Sequence, residues 1–171
     1  FSSFTQGATV VSYDRIIFAA DRNLSNLGTS AQLELWEMVR VGGTFSKPEP
    51  ITEVNDPDAW DSQPALSSDG RTLFFVSNRR GGQGARDIWF SRLGADGGWS
   101  SPKPVPNVNT PGDEFSPFCG PDGKFYFSTN WDFTSSRVGD RKKEIHRADL
   151  QWVNDAPAPG NPTNLDDAIR Q

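Results

Sequence analysis

The chain has 171 residues and a formal net charge of −5, which weighs against nucleic-acid binding because a phosphate backbone attracts basic surfaces. A chain of this length can bury a core without cross-links. Its single cysteine, Cys119, excludes an intrachain disulfide and argues against a cysteine-ligated metal. No apolar run approaches the length needed to cross a bilayer, so we expect no membrane span. The many prolines, glycines and aromatic residues are typical of a turn-rich all-β domain.

In the first module of the chain, the apolar run Ile16–Ala19 takes the place of the second strand. Residues 30–40 follow, and their alanine, leucine, glutamate and methionine content favours a helix. However, this segment takes the place of residues 85–92 in the next module, whose sequence ARDIWFSR does not favour a helix. We therefore predict a strand over Leu33–Val39.

The second module is the clearest and contains four predicted strands. These are Gln63–Ser67, Thr72–Ser77, Asp87–Arg92 and a short strand within Pro102–Val105. An Asp69-Gly70 turn separates the first two strands, because glycine accepts the positive φ of a tight hairpin at no steric cost.

Three imperfect copies of this module make up most of the chain. Residues 43–51 recur as 97–105, and Val54-Asn55 recurs as Val108-Asn109. The second strand of each copy is an apolar run without alternation, as in Leu73–Val76 and Phe125–Phe127. A strand buried on one face alternates with period two, whereas a strand buried on both faces need not. Stacked antiparallel sheets with this repeat length are typical of a β-propeller.

The sequence thus predicts an all-β fold, a β-propeller with about three four-stranded antiparallel blades. The predicted boundaries are 1–57 for blade 1, 58–110 for blade 2 and 111–159 for blade 3, with 160–171 a tail or the start of another blade. The blades are expected to stack on Phe18, Phe75, Phe127, Trp36 and Trp89. A closed ring has four to eight blades, so closure would need further blades from a longer parent chain or a homodimer partner.

Several motifs of the second module resemble the TolB-type β-propeller repeat of bacterial envelope proteins. They are PALSSDGR at 64–71, Asn78-Arg79, Asp87-Ile88-Trp89 and VNTPGDE at 108–114. The resemblance implies a periplasmic, secreted or cell-surface protein whose signal segment is not in this chain. Related propellers cap prolyl oligopeptidases. The third copy departs from the pattern, because Trp131 replaces the arginine that follows the asparagine.

Long loops follow the second strands and precede the first strands, and both kinds emerge on the same side of an antiparallel blade. Irregular loops on a rigid scaffold are where function concentrates. The candidate ligand-binding residues on this side are Trp60, Asp61, Arg79, Asp113, Glu114, Asn130, Trp131 and Arg141. A structural role is the alternative: Asp61 and Glu114 would accept backbone amides or pair with arginine, and Arg79 would pair with Asp87 across the hairpin.

No catalytic or metal-binding constellation is visible, so we expect no cofactor and no metal. His146, the only histidine, takes the place of Trp36 and Trp89, which favours a packing role. GxSxG, HExxH and calcium-loop motifs are absent. We predict a non-catalytic binding or scaffold segment that recognises a protein or a cell-wall glycan. The alternatives are a propeller-type carbohydrate-active lyase or glycosidase, or the gating propeller of a peptidase whose catalytic domain is absent from this chain.

Overall fold

The computed structural model describes residues 9–21, 32–133, 136–138, 144–153, 156–159 and 163–164. Within these ranges the regular secondary structure consists of strands and contains no helix, which confirms the all-β prediction. The strands form three antiparallel blades in chain order, and each blade contains four strands in a common arrangement.

Blade 1 contains β1 (Thr9–Val11), β2 (Arg15–Asp21), β3 (Leu33–Val41), β4 (Thr44–Phe45) and β5 (Glu49–Pro50). Its four-stranded sheet has the order β1-β2-β3-β5, and β4 pairs with the far end of β3. The strand predicted at Leu33–Val39 is confirmed, since β3 pairs with all of β2. Leu33 and Leu35 are buried, and this packing outweighs the local helix preference of the segment.

Blade 2 contains β6 (Asp61–Leu66), β7 (Thr72–Ser77), β8 (Asp87–Arg92) and β9 (Lys103–Pro104), paired in chain order. The bounds of β7 and β8 are those predicted from the sequence. Gly70 has φ +68° in the turn between β6 and β7, where a side chain would be strained.

Blade 3 contains β10 (Glu114–Cys119), β11 (Lys124–Thr129), β14 (Glu144–Val153) and β16 (Thr163–Asn164) in that spatial order. A separate hairpin is formed by β12 (Trp131–Asp132) and β13 (Arg137–Val138), and β15 (Ala156–Pro159) pairs with the far end of β14. Because β16 supplies the fourth strand, the third sheet extends past the predicted boundary at residue 159 and into residues 160–171, which the sequence assigns to a tail or the start of another blade.

Two apolar clusters hold the blades together, one at each seam. The seam between blades 1 and 2 joins Ile17, Ala19, Leu35, Ile51 and Val54 to Leu66, Leu73, Phe75, Trp89 and Trp99. The seam between blades 2 and 3 joins Ala65, Phe74, Val76, Ile88, Phe90, Val105 and Val108 to Phe125 and Phe127. Neighbouring residues of β7 thus face opposite seams, which explains why this strand is buried at every position and does not alternate.

The second strands of the two end blades are less buried than β7. In β11 buried and half-buried positions alternate, so only the face with Phe125 and Phe127 is covered. Phe18 and Trp36 are half-buried and lie outside both seam clusters. The predicted stacking role is therefore confirmed for Phe75, Phe127 and Trp89, and it stays a prediction for Phe18 and Trp36, which lie on the face of blade 1 away from blade 2.

The repeated Val-Asn dipeptide has a structural role. The Asn55 side chain accepts a hydrogen bond from the Leu35 N–H (2.8 Å) and donates one to the Leu35 carbonyl (2.9 Å). Asn109 makes the same two bonds with Ile88, both at 2.9 Å. Each asparagine therefore satisfies backbone groups of the third strand next to the very short fourth strand.

Candidate functional site

One side of the blades carries the long loops, and we call it the loop face, formed by residues 55–60, 78–86, 109–113 and 130–133. Repeated side-chain bonds bring these loops together. The Asn78 side chain accepts the Trp60 N–H at 2.7 Å, and Asn130 accepts the Asp113 N–H at 2.7 Å. The loops after the second strands and before the first strands thus share one side, as the repeat predicts.

Asp61 and Arg79 form a buried ion pair at the base of the loop face in blade 2. The guanidinium of Arg79 donates to Asp61 Oδ1 at 2.6 Å and to the Val54 carbonyl at 2.8 Å. The other carboxylate oxygen of Asp61 accepts a hydrogen bond from the Asp56 N–H at 2.8 Å. The side chains are 0% (Asp61) and 8% (Arg79) exposed, and the guanidinium also lies over the Phe75 and Trp89 rings. The Asp61 side chain is therefore enclosed, and most of the Arg79 side chain is buried with it.

This pairing corrects the prediction that Arg79 pairs with Asp87. The Asp87 carboxylate instead accepts the backbone N–H groups of Gln83 and Gly84, and so shapes the loop after β7. Burial raises the pKa of Asp87, an effect that these two hydrogen bonds oppose. The equivalent pair predicted in blade 1 is Arg22 with Glu34, and Arg22 lies outside the described residues.

Glu114 takes the place of Asp61 in blade 3. Among the described residues no arginine pairs with it, because Trp131 stands where Arg79 would. Thr110 Oγ1 and Thr129 Oγ1 donate to Glu114 Oε1 at 2.5 and 2.7 Å, and the Thr110 N–H donates to Oε2 at 3.0 Å. Both hydroxyls in turn accept a backbone N–H, from Gly112 and Trp131, which directs their protons toward the carboxylate.

The environment of Glu114 sets its charge state. Burial raises its pKa to about 7, although the three hydrogen bonds favour the ionised form and act against that rise. The side chain has no exposed surface. Asp61 and Glu114 are therefore enclosed, in agreement with their structural interpretation, whereas Arg79 pairs with Asp61 and also lines a cleft on the loop face.

The other candidate residues are accessible. Trp60 is half-buried, and the Arg86 guanidinium lies 5.9 Å from its ring centre. Arg86 also lies 3.8 Å from Asp113 Oδ2, and its side chain is 49% exposed. Asn130 and Trp131 are half-buried at the neighbouring loop, and Arg141 lies outside the described residues. Trp60, Asp113, Asn130 and Trp131 are thus brought to one surface.

A polar cleft of about 480 Å³ opens on the same face in blade 2. Its walls are Asp56, Asp58, Ala59, Asn78, Arg79 and Arg80. Sequence reasoning missed Arg80 and Arg86, both exposed. Their position in the long loop after β7 could have indicated a binding role. However, the repeat does not distinguish them from ordinary solvated residues.

The remaining reactive groups of the described chain do not form a second site. His146 is buried against the Phe127 and Phe133 rings, which agrees with its predicted packing role. Burial raises the pKa of the Cys119 thiol to about 12, so it is a poor nucleophile at neutral pH. Among the described residues, no cluster of histidine, cysteine and carboxylate groups could hold a metal ion, and no helix could span a membrane.

No protein-family model matches the chain, and no curated protein matches it. Solved structures do match. A thermostable family-43 glycoside hydrolase aligns with a TM-score of 0.57 at 14% identity, over 95% of this chain and 59% of that one. A structure from a study of two prolyl endopeptidases gives 0.50 at 17% identity, over 94% of this chain and 21% of that one. Prolyl oligopeptidase B from Galerina marginata gives 0.51 at 14% identity, over 92% and 21%.

At this level of identity the likeness shows the fold alone. Together with the three antiparallel blades, it defines the chain as a β-propeller array. The chain spans 59% of the glycoside hydrolase and about a fifth of each peptidase chain.

Proposed function

We propose that this chain is a non-catalytic β-propeller module that binds a protein or a cell-wall glycan through its loop face. One observation carries the proposal: Asp61 and Glu114, the two acids at the base of the loop face, are enclosed, whereas its tryptophans and two of its arginines are accessible. Glu114 and Asp61 have no exposed surface, while Arg80 and Arg86 are exposed and Trp60 and Trp131 are half-buried. Tryptophan and arginine contribute most to binding energy at interfaces.

The bonding of the two enclosed acids supports a non-catalytic role. A glycosidase needs two carboxyl groups that face the scissile bond, one as acid and one as nucleophile or base. Both oxygens of Asp61 are bonded within the protein, to Arg79 and to the Asp56 N–H. Both oxygens of Glu114 are bonded as well. Neither acid has a free oxygen that faces a substrate.

The exposed groups suit a neutral or acidic ligand with a flat or apolar part. An indole ring offers a broad surface to a sugar ring or an apolar side chain, and a guanidinium binds carboxylates in a bidentate manner. The resemblance to TolB-type repeats supports a periplasmic or cell-surface setting, in which cell-wall glycans and envelope proteins are the available ligands.

Calorimetric titration with soluble peptidoglycan fragments, and with a panel of envelope proteins, tests this proposal. Arg86→Ala should weaken binding by about tenfold or more, because the exposed guanidinium and its stacking on Trp60 are lost. Arg71→Ala is the matched control, since Arg71 is an exposed arginine at the opposite, short-turn side. Equal losses for both variants, or a loss for Arg71→Ala alone, would contradict the assignment of the loop face.

A second candidate is a carbohydrate-active enzyme of propeller form, and one observation favours it. The pKa of Glu114, about 7, is close to the value that suits a general acid at neutral pH. If the protein releases reducing sugar from glycans, and Glu114→Gln abolishes this activity, this candidate is established. A role as the gating propeller of a peptidase is supported by the fold likeness to the two prolyl peptidases alone.

A further inference from the structure

The two seams between blades use the same pair of cross-strand positions. At each seam, one blade presents an aromatic pair and the other presents a smaller receiving pair. Phe75 and Trp89 are directly paired across β7 and β8, and they share the first seam cluster with Ala19 and Leu35, which are paired across β2 and β3. The aromatic pair of blade 2 therefore packs on the receiving pair of blade 1.

The second seam repeats this arrangement one blade later. Val76 and Ile88 are the receiving pair of blade 2, and they share the second cluster with Phe127. Phe127 is paired with His146 across β11 and β14, and the two rings stack with centres 5.8 Å apart. The aromatic pair of blade 3 is thus Phe127 with His146.

One aromatic pair remains without a seam, on blade 1. Phe18 and Trp36 are directly paired across β2 and β3, the register of Phe75 and Trp89. The residue types are also the same. Yet Phe75 is fully buried, whereas Phe18 and Trp36 are only half-buried on the outer face of the described array.

One receiving pair also remains, on blade 3. Ser128 and Ile145 are paired across β11 and β14, the register of Val76 and Ile88. They line an open, mainly apolar cleft of about 420 Å³ together with Phe118 and Tyr126. Ile145 is 54% exposed and Phe118 is 57% exposed. Serine at position 128 leaves room there that Val76 fills in blade 2.

We propose that the cleft on blade 3 binds the aromatic pair of blade 1 from a second copy of this chain. The aromatic pair of blade 1 and the receiving pair of blade 3 lie at opposite ends of the described array, so the two ends of two copies can pack on each other. Two copies related by a two-fold axis would then make two identical seams and a ring of six blades. Six is within the usual range of propellers, and two-fold dimers are the commonest homo-oligomers. This inference does not depend on the proposed function.

Sedimentation equilibrium of the purified chain tests the proposal, with a mass of twice 18.8 kDa expected. Ile145→Asp places a charge in the cleft and should weaken self-association by about tenfold or more. Phe118→Asp provides a second variant of the same cleft. Val41→Asp is the matched control, because Val41 is 67% exposed at the far end of β3, outside both outer faces. Circular dichroism confirms that each variant is folded.

A mixing experiment distinguishes this geometry from a dimer that joins two copies of the same face. Phe18→Asp and Ile145→Asp should each be monomeric alone, because each homodimer would contain two damaged seams. Their equimolar mixture should form a heterodimer, since one of its two seams joins an intact Phe18 to an intact Ile145. A monomeric wild-type chain, open aggregates, an unchanged dimer in either cleft variant, or a mixture that stays monomeric would overturn the proposal.

Discussion

Blades 2 and 3 share one repeat but differ in how their equivalent positions are buried. Blade 2 has a neighbour on each face, and all six residues of β7 are buried. Blade 3 has one described neighbour, and β11 alternates between buried and half-buried positions. The same strand position also holds its acid differently, with a guanidinium beside Asp61 and threonine hydroxyls beside Glu114. The comparison shows that the repeat fixes the positions, while the neighbours decide their environment.

The largest effect is expected at the seam between blades 1 and 2. Phe75→Ala should lower the free energy of unfolding by about 3–5 kcal/mol, because the ring is fully buried and leaves a cavity. Urea denaturation measures this change. Val41→Ala, at a residue that is 67% exposed, should cost less than about 1 kcal/mol. A cost below about 1 kcal/mol for Phe75→Ala as well would show that the seam is not packed as described.

Arg79→Met should destabilise the protein by about 3 kcal/mol, because it leaves the fully buried Asp61 carboxylate without its cation. The matched change in blade 3 is Trp131→Met, which removes no counter-ion from Glu114 and should cost less. Denaturation curves of the two variants at the same pH sharpen the contrast between the blades. The contrast fails if both variants lose the same stability, or if Asp61→Asn does not restore part of the loss in Arg79→Met.

Glu114 should make stability depend on pH. Its pKa is raised from 4.5 to about 7, so the folded protein binds a proton more tightly than the unfolded chain across this window. Stability should therefore fall as pH rises from 4.5 to about 7, and the penalty should be complete above that pH, at about 3 kcal/mol.

Glu114→Gln should remove most of this pH dependence, measured as denaturation midpoints at pH 4.5 and pH 8. The raised pKa of Asp87 gives a dependence of the same sign, so some slope should remain. Glu53→Gln, at an exposed glutamate, serves as the control. An unchanged slope in Glu114→Gln would show that its charge state is the same in both states of the chain.

The smallest effect is expected at the asparagines that bond the third strands. Asn109→Ala should cost about 1–2 kcal/mol, because Ile88 loses both side-chain partners in a buried setting. Asn55→Ala should cost less, since Asn55 is half-buried and water can replace its bonds to Leu35. Thermal unfolding of the two variants checks the order. If Asn55→Ala lost more stability than Asn109→Ala, the burial of these hydrogen bonds would not determine the loss.

Much of the fold could be predicted from the sequence because the signals are local. The Asp69-Gly70 turn and the apolar run at Thr72–Ser77 gave the correct bounds of β7, and the repeat placed β3 as a strand against its helix propensity. The loop face also followed from the repeat, since antiparallel strands return their loops to alternate sides. The same argument predicts the location of four candidate residues on that face, namely Trp60, Asp113, Asn130 and Trp131.

What the sequence by itself determined was the backbone: strand spacing, turns and the antiparallel order, which arise from φ preferences and side-chain period within each module. Only the tertiary structure decided which partners meet. Arg79 pairs with Asp61 and not with Asp87, whose carboxylate accepts the backbone N–H groups of Gln83 and Gly84. Likewise, Phe18 and Phe75 are phenylalanines at equivalent positions of two blades. Their burial differs because it depends on the neighbouring blade.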